Sequence, residues 1–398
     1  MKITRRNALK GGAAAGAVLA SGVFKPALAN TTPIPVGYLP AFTGASSSTG
    51  LGIGRGTELA VKEINDAGGI NGRKLELVMR DTQSDPTKAV NAAAELTRRL
   101  KVAAIWGPLN SGETLAAIAN IARDSVPHVH PCWVDSLVDV KKYPMAFRTA
   151  PSNEQIGAAA NHYVVKVLNA KKVAVVSDTT GYGTSSLEAY APMVKKIGGE
   201  TVYAASVDAN NPDLKPELLR MRSAGAEAIM PWSVNAGFLA RIINTRAELG
   251  WDVPICGQTT LGSGQTKALL AKPENWEKVY PNNFRNLCYD QAGNLPPAAT
   301  EFVERLKKSN VNISDTLLWW VACGYDGARL VAESLREAGT GGPEITAYLN
   351  TKIKGWKGIY GTLTFSPENH NGFADNDIVM VQANSLKDGA FKLAPGYA

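Results

Sequence analysis

The chain has 398 residues, 45% of them hydrophobic and 19% charged. That balance excludes an intrinsically disordered chain and supplies more than one packed core. The formal net charge is +7, but Lys2, Arg5, Arg6, Lys10 and Lys25 all fall in residues 1–29 with no acid among them, so residues 30–398 carry only +2 and the basic balance does not argue for nucleic acid.

The opening, MKITRRNALKGGAAAGAVLASGVFKPALANTT, has a cationic head, a Gly/Ala-rich apolar middle and an Ala27-Leu28-Ala29 end. This is the layout of an export signal, and cleavage is expected after Ala29, leaving a periplasmic protein. The pair Arg5-Arg6, with Thr4 before it and Leu9-Lys10 after it, is similar to the twin-arginine motif, although Ala8 stands where Phe is usual. An ordinary Sec signal is the alternative. The apolar middle is too short and too glycine-rich to span a membrane, and no cysteine follows it to carry a lipid.

Beyond residue 29 the pattern alternates. A strand is predicted over 34–39, then a helix over 53–66 that stops at Gly68-Gly69. Next come a strand over 73–81 and a helix over 85–100 with Asp85 as N-cap and Pro86 at its first position. The run 102–107 reads as a strand, SGETLAAIANIARD as a helix and VPHVHP as a strand. After the loop APSNEQ (150–155) the rhythm resumes with KKVAVVSD, TSSLEAYAPMVKKIGG, ETVYAASV, DLKPELLRMRSAG, AEAIMPW, AGFLARIINTRAELG and VPICG. Short strands alternating with helices indicate βαβ units, so two doubly wound parallel-sheet domains are expected. The later chain is less regular: a loop over 294–299, a long helix over 317–339, and strand, turn and strand over 360–373. Cys132, Cys256, Cys288 and Cys323 contain no CxxC. Cys256 and Cys288 both lie near predicted strand ends and are a candidate disulfide, with buried thiols as the alternative.

The segment AVKEINDAGGINGRKLELVMRDTQSDPTKAV, followed in order by GPLNSGETLA, VPHVHPCWVDS, FRTAPSNEQIGAAANHYVV and VAVVSDTTGYGTSSLEAY, resembles the Leu/Ile/Val-binding protein family. These are the substrate-binding components of ABC importers of the branched-chain-amino-acid type. The resemblance runs over residues 33–385 and implies a type I periplasmic binding fold: two α/β lobes joined by three crossovers, near 149, 288 and 362. Lobe 1 is then 30–149 plus 289–362, and lobe 2 is 150–288 plus 363–398. The implied partners are a small-molecule ligand and an inner-membrane permease, with no nucleic acid and no cofactor. A monomer is expected.

The turn Asn110-Ser111-Gly112-Glu113 opens a helix whose first N–H groups lack internal partners, and anions collect at such ends. Ser111 adds a hydroxyl, and Gly112 lets a ligand approach the backbone. The resemblance implies that Ser111 binds a ligand carboxylate and that Cys132, Trp133 and Val134, in the loop Pro131–Val134, add contacts. Capping alone is the plainer reading, since Asn110 with Glu113 fits a capping box. The resemblance further implies that Tyr182 closes from the second lobe. Trp232 is offered by PWSVN, and Trp320 matches a pocket-wall aromatic while Trp319 is read as core, because neighbours on a helix point about 100° apart. Thr49 stands where leucine binders carry an aromatic.

One departure bears on the ligand. Amino-acid binders of this family place a carboxylate after the strand matching VPICG, to pair with the ligand ammonium. Here the sequence reads CGQTT, with the neutral Gln258 and Thr259. Asp178 or Asp135 are the remaining acids to consider. An ammonium without a counter-charge is poorly held, so an aromatic or other hydrophobic carboxylate ranks first. An apolar amino acid comes second and an amide or urea-like solute third. His128, His130 and Cys132 alternate along a strand and raise a zinc site as a minor reading. No GxSxG, HExxH or P-loop accompanies them. A ligand sensor of the same fold is the other alternative.

Overall fold

The computed structural model describes residues 31–374 and 377–397; the export-signal reading of 1–29 therefore lies outside the described residues. Among them no helix is long and apolar enough to cross a membrane. The first unit runs β1 (Ile34–Tyr38), α1 (Ser47–Asp66), β2 (Leu75–Met79), α2 (Pro86–Ala94), β3 (Ile105–Trp106), α3 (Ser111–Arg123), β4 (His128–His130) and β5 (Ala146–Arg148). Its five strands lie in the order β2-β1-β3-β4-β5, and every pairing is parallel.

The second unit follows with α4 (Asn153–His162), β6 (Lys172–Asp178), α5 (Gly181–Lys196), β7 (Glu200–Val207), α6 (Lys215–Ser223), β8 (Ala228–Trp232), α7 (Ala236–Glu248), β9 (Ile255–Gly257), the short α8 (Gly264–Ala268) and β10 (Val279–Phe284). Read from β7 inward, its order β7-β6-β8-β9-β10 repeats that of the first sheet. Six of the seven residues of β6 are buried, as befits a central strand covered by helices on both faces.

The chain then returns. After β11 (Cys288–Tyr289) come α9 (Pro297–Lys308), α10 (Leu318–Ala338), α11 (Gly342–Lys352), β12 (Trp356–Lys357) and β13 (Thr362–Leu363). It crosses back past β5, where the Arg148 N–H donates to the carbonyl of His370. Finally β14 (Ile378–Met380) adds to β10 antiparallel, and β15 (Phe391–Lys392) pairs with β11. The antiparallel β14 is an element that the alternating pattern did not reveal.

Helix α1 starts at Ser47, six residues ahead of the expected start at 53. The added turns carry glycines, which propensity reads as loop. Tertiary packing overrides propensity: in the added turns a Cβ on Gly52 would stand 2.9 Å from Trp320 Cβ in α10, and one turn on, inside the expected helix, a Cβ on Gly56 would stand 1.8 Å from the carbonyl oxygen of Val321. The two helices touch backbone to backbone, which only glycine permits. The candidate disulfide does not form. All four cysteines are free and buried, and the Cys288 thiol donates to the carbonyl of Phe284 at 3.2 Å. Burial pushes that thiol up to about 12, so it stays protonated.

Candidate functional site

In open parallel sheets, ligands bind beyond the carboxyl ends of strands, near the point where strand order reverses. Both sheets have that point, between β1 and β3 and between β6 and β8. A small cavity lies where they face each other, lined by residues that follow β3, β4, β6, β8 and β9 and by the first turns of α1 and α10.

Asn110 is the N-cap of α3; its side-chain oxygen accepts from Gly112 N–H at 2.9 Å and its amide donates to Ser46 Oγ at 2.8 Å. The expected capping box is not closed. Glu113 turns inward, is 1% exposed, and neither carboxylate oxygen has a partner among the described residues. The nearby Thr82 hydroxyl donates to the carbonyl of Pro40 instead. Burial raises the Glu113 carboxyl to about 7.

Ser111 Oγ lines the cavity and accepts from Trp133 N–H at 3.2 Å. That bond occupies an acceptor position, so the hydroxyl proton is left to donate. Trp133 stacks on Trp319, with ring centroids 6.0 Å apart and 29° between planes. Tyr182 meets Trp133 edge-on from the second unit at 5.9 Å. Its hydroxyl has no partner among the described residues, and neither do the Thr49 hydroxyl and the indole N–H groups of Trp319 and Trp320. Cys132 also lines the cavity, its sulfur held by Thr114 and by the carbonyl of Pro108. Gln258 lines the opposite wall and accepts from Thr260 N–H at 2.5 Å, which leaves its amide N–H₂ to donate.

Thr49, Asn110, Ser111, Cys132, Trp133, Tyr182, Gln258 and Trp320 thus share one cavity, and four expected residues do not line it. Gly112 sits at the contact between the units, where a Cβ on Gly181 would be 3.1 Å from its Cα. Val134 points its carbonyl away, to Arg148. Trp232 is buried beneath Tyr190, with centroids 4.1 Å apart, and Val234, two residues on, lines the wall instead. Thr259 begins a buried 3-10 turn behind Gln258. Trp319 corrects the core reading: it lines the cavity together with Trp320. The cavity caps the end of α10, so side chains 100° apart both reach it. Ile53 and Leu109 were not anticipated; Ile53 lies one turn beyond Thr49, a spacing that could have found it.

No lining residue is acidic. Asp178 is committed to Thr180 and to the Ser233 hydroxyl at 2.5 Å, and Asp135 is exposed. Each histidine of the His128–His130–Cys132 set gives one ring nitrogen to a protein hydrogen bond, while His128 Nδ1 and His130 Nε2 have no partner among the described residues. His128 Nε2 bonds the Gly107 carbonyl at 2.7 Å and His130 Nδ1 accepts from Cys132 N–H at 3.2 Å. Burial lowers His128 to about 4. Among the described residues no His, Cys, Asp and Glu group could hold a metal ion.

A family model described as periplasmic binding protein matches residues 33–390. An amino acid binding protein of Pseudomonas aeruginosa is 31% identical over 196 residues; the match spans 49% of this chain and 52% of that one, about half the length of each. The branched-chain amino acid transporter substrate binding protein LivJ of Streptococcus pneumoniae, solved with isoleucine, is 24% identical with a TM-score of 0.74, covering 91% of this chain and 99% of that chain. A solute binding protein of an R. palustris ABC transporter, solved with 4-hydroxybenzoate, is 21% identical with a TM-score of 0.74, covering 91% and 95%. Both likenesses concern the fold.

Proposed function

The chain belongs to the periplasmic binding protein family, and from that premise we propose that it is the ligand-capturing component of an ABC importer, closing its two lobes on a small aromatic or other hydrophobic carboxylate. One observation carries this reading. The cavity is walled by indole and phenol rings, its free polar groups are hydroxyls and N–H donors, and it has no acid. A carboxylate would sit at the start of α3, where Ser111 Oγ–H and the helix dipole meet it, and flat rings suit the space between Trp133, Trp319 and Tyr182. A ligand ammonium would find no counter-charge there. The solute binding protein solved with 4-hydroxybenzoate supplies a precedent for the ligand class, and LivJ with isoleucine supplies the competing one.

The protein performs no chemistry and needs no cofactor in this reading. It acts as a periplasmic monomer after cleavage at Ala29, with lobes 30–149 plus 289–362 and 150–288 plus 363–398, and an inner-membrane permease recognises the closed form.

Thermal melts of refolded protein, residues 30–398, test the ligand class. Benzoate and 4-hydroxybenzoate are expected to raise the melt, since a ligand at ~100 times its Kd adds about 2.7 kcal/mol. Leucine, isoleucine, valine and phenylalanine are expected to leave it unchanged. A shift with leucine and none with the acids defeats the reading. Ser111→Ala is expected to weaken 4-hydroxybenzoate binding by about 1–3 kcal/mol, the worth of a hydrogen bond to a charged group. Calorimetric titration would detect it, and equal affinity would remove Ser111 from the site.

A further inference from the structure

Behind the loop that follows β4 lies a buried cation that the binding reading does not use. Arg148, the last residue of β5, is 1% exposed. Its Nη1 donates towards three successive carbonyls, of Cys132, Trp133 and Val134, at 3.4, 3.1 and 2.9 Å. Its Nε donates to Asn371 Oδ1 at 3.0 Å, in the segment that crosses back between the lobes. Among the described residues no carboxylate lies within salt-bridge distance of it, and Asp135, next along the same loop, acts on it electrostatically from farther off. Burial lowers its guanidinium to about 10, which leaves it charged at neutral pH.

The geometry has an electrostatic sense. In a trans peptide the N–H points opposite to the C=O. Drawing these carbonyls to one cation turns the N–H ends the other way, and the Trp133 N–H is indeed found on Ser111 Oγ, at the cavity wall. The Cys132–Trp133 peptide therefore turns its positive N–H end to the cavity wall and its negative C=O end to Arg148, an orientation that favours anions.

We propose that Arg148 is a positioning residue for anion selection: it fixes the Cys132–Val134 loop through its carbonyls, and its buried charge behind that loop makes the cavity prefer a carboxylate over its neutral amide. This rests on the ligand-capturing reading and adds to it the device that discriminates charge at the ligand's acid end.

The test compares acid and amide in two probe pairs, 4-hydroxybenzoate with 4-hydroxybenzamide and leucine with leucinamide, titrated by tryptophan fluorescence. Arg148→Gln is expected to lower affinity for the acid about tenfold, the effect of one unit charge acting over roughly 12 Å at an effective dielectric of ~20, and to change that for the amide far less. Arg148→Lys keeps the charge, so the acid remains preferred although both affinities fall. A loss shared equally by acid and amide in the Gln variant would reduce Arg148 to structural support and overturn the inference. If the Gln variant does not fold, Arg148→Lys decides: a folded Lys variant that no longer distinguishes acid from amide overturns the inference, and one that does supports it. Binding of the leucine pair alone defeats the aromatic-acid reading but still tests Arg148 on that pair. Binding of neither pair overturns both.

Discussion

Gly56→Ala is expected to destabilise the protein by about 3 kcal/mol or more, at or above the upper end for overpacked cores. Alanine is the better helix former by ~1 kcal/mol, so on propensity alone the change should help. The added Cβ would stand 1.8 Å from the Val321 carbonyl oxygen and 2.8 Å from Tyr325 N, both backbone atoms of α10. Neither can rotate away, and α1 must separate from α10 along its length. Gly54→Ala is the control in the same helix. There the nearest atom, 2.5 Å away, belongs to the ring of Phe42, a half-buried side chain that can turn. Urea titrations should show a large fall in midpoint for Gly56→Ala, with unchanged slope, and a small change for Gly54→Ala. Equal midpoints for the two variants would mean that the helices are not in backbone contact. The first turns of these helices also carry Thr49 and Trp320, so a forced separation should widen the cavity and weaken ligand binding as well.

The second large effect is a pH dependence. The Glu113 carboxyl has an ordinary value of 4.5 and is raised by burial to about 7 in the folded protein. Between these values the folded chain holds a proton that the unfolded chain has released. Stability from this group is therefore complete below pH 4.5, is lost as pH rises towards 7, and stays lost above it. The loss amounts to ~3 kcal/mol, at 1.36 kcal/mol per pH unit. Asp326 is raised in the same direction, to about 7, so the wild-type curve alone does not isolate Glu113. Glu113→Gln does: the variant should match wild type near pH 4 and exceed it by up to about 3 kcal/mol at pH 8, measured as the difference in unfolding free energy. Parallel curves across that range would show that Glu113 ionises normally.

What the sequence made legible follows from which signals are local. Asn110 and Ser111 could be read because a strand, a polar turn and a helix start are written in consecutive residues. Trp133, Tyr182 and Gln258 were reachable through the resemblance and line the cavity, though they come from three separate strand ends. The departure CGQTT stood in the sequence, but only the structure shows that Asp178 and Asp135 are placed away from the cavity wall. The start of α1 was missed because its glycines weaken the local helix signal, and their partner α10 lies some 260 residues away. Trp232 and Trp319 were exchanged for a similar reason. Which of two nearby aromatics faces a cavity depends on what packs behind it, and Tyr190 claims Trp232 from a different helix.

The contact of Gly112 with Gly181 has a consequence for closure itself. Each glycine lies in the first turn of its helix, α3 in one lobe and α5 in the other. Shutting the cleft therefore brings two helix N-termini face to face, each carrying roughly half a positive charge. Such ends repel, and the repulsion grows as water leaves the seam. Under the proposed function, a negative charge captured beside Ser111 would sit next to both ends and offset their repulsion, so the ligand's charge would act on closure as well as on its own affinity. A neutral molecule of the same shape would fill the space and leave that opposition in place.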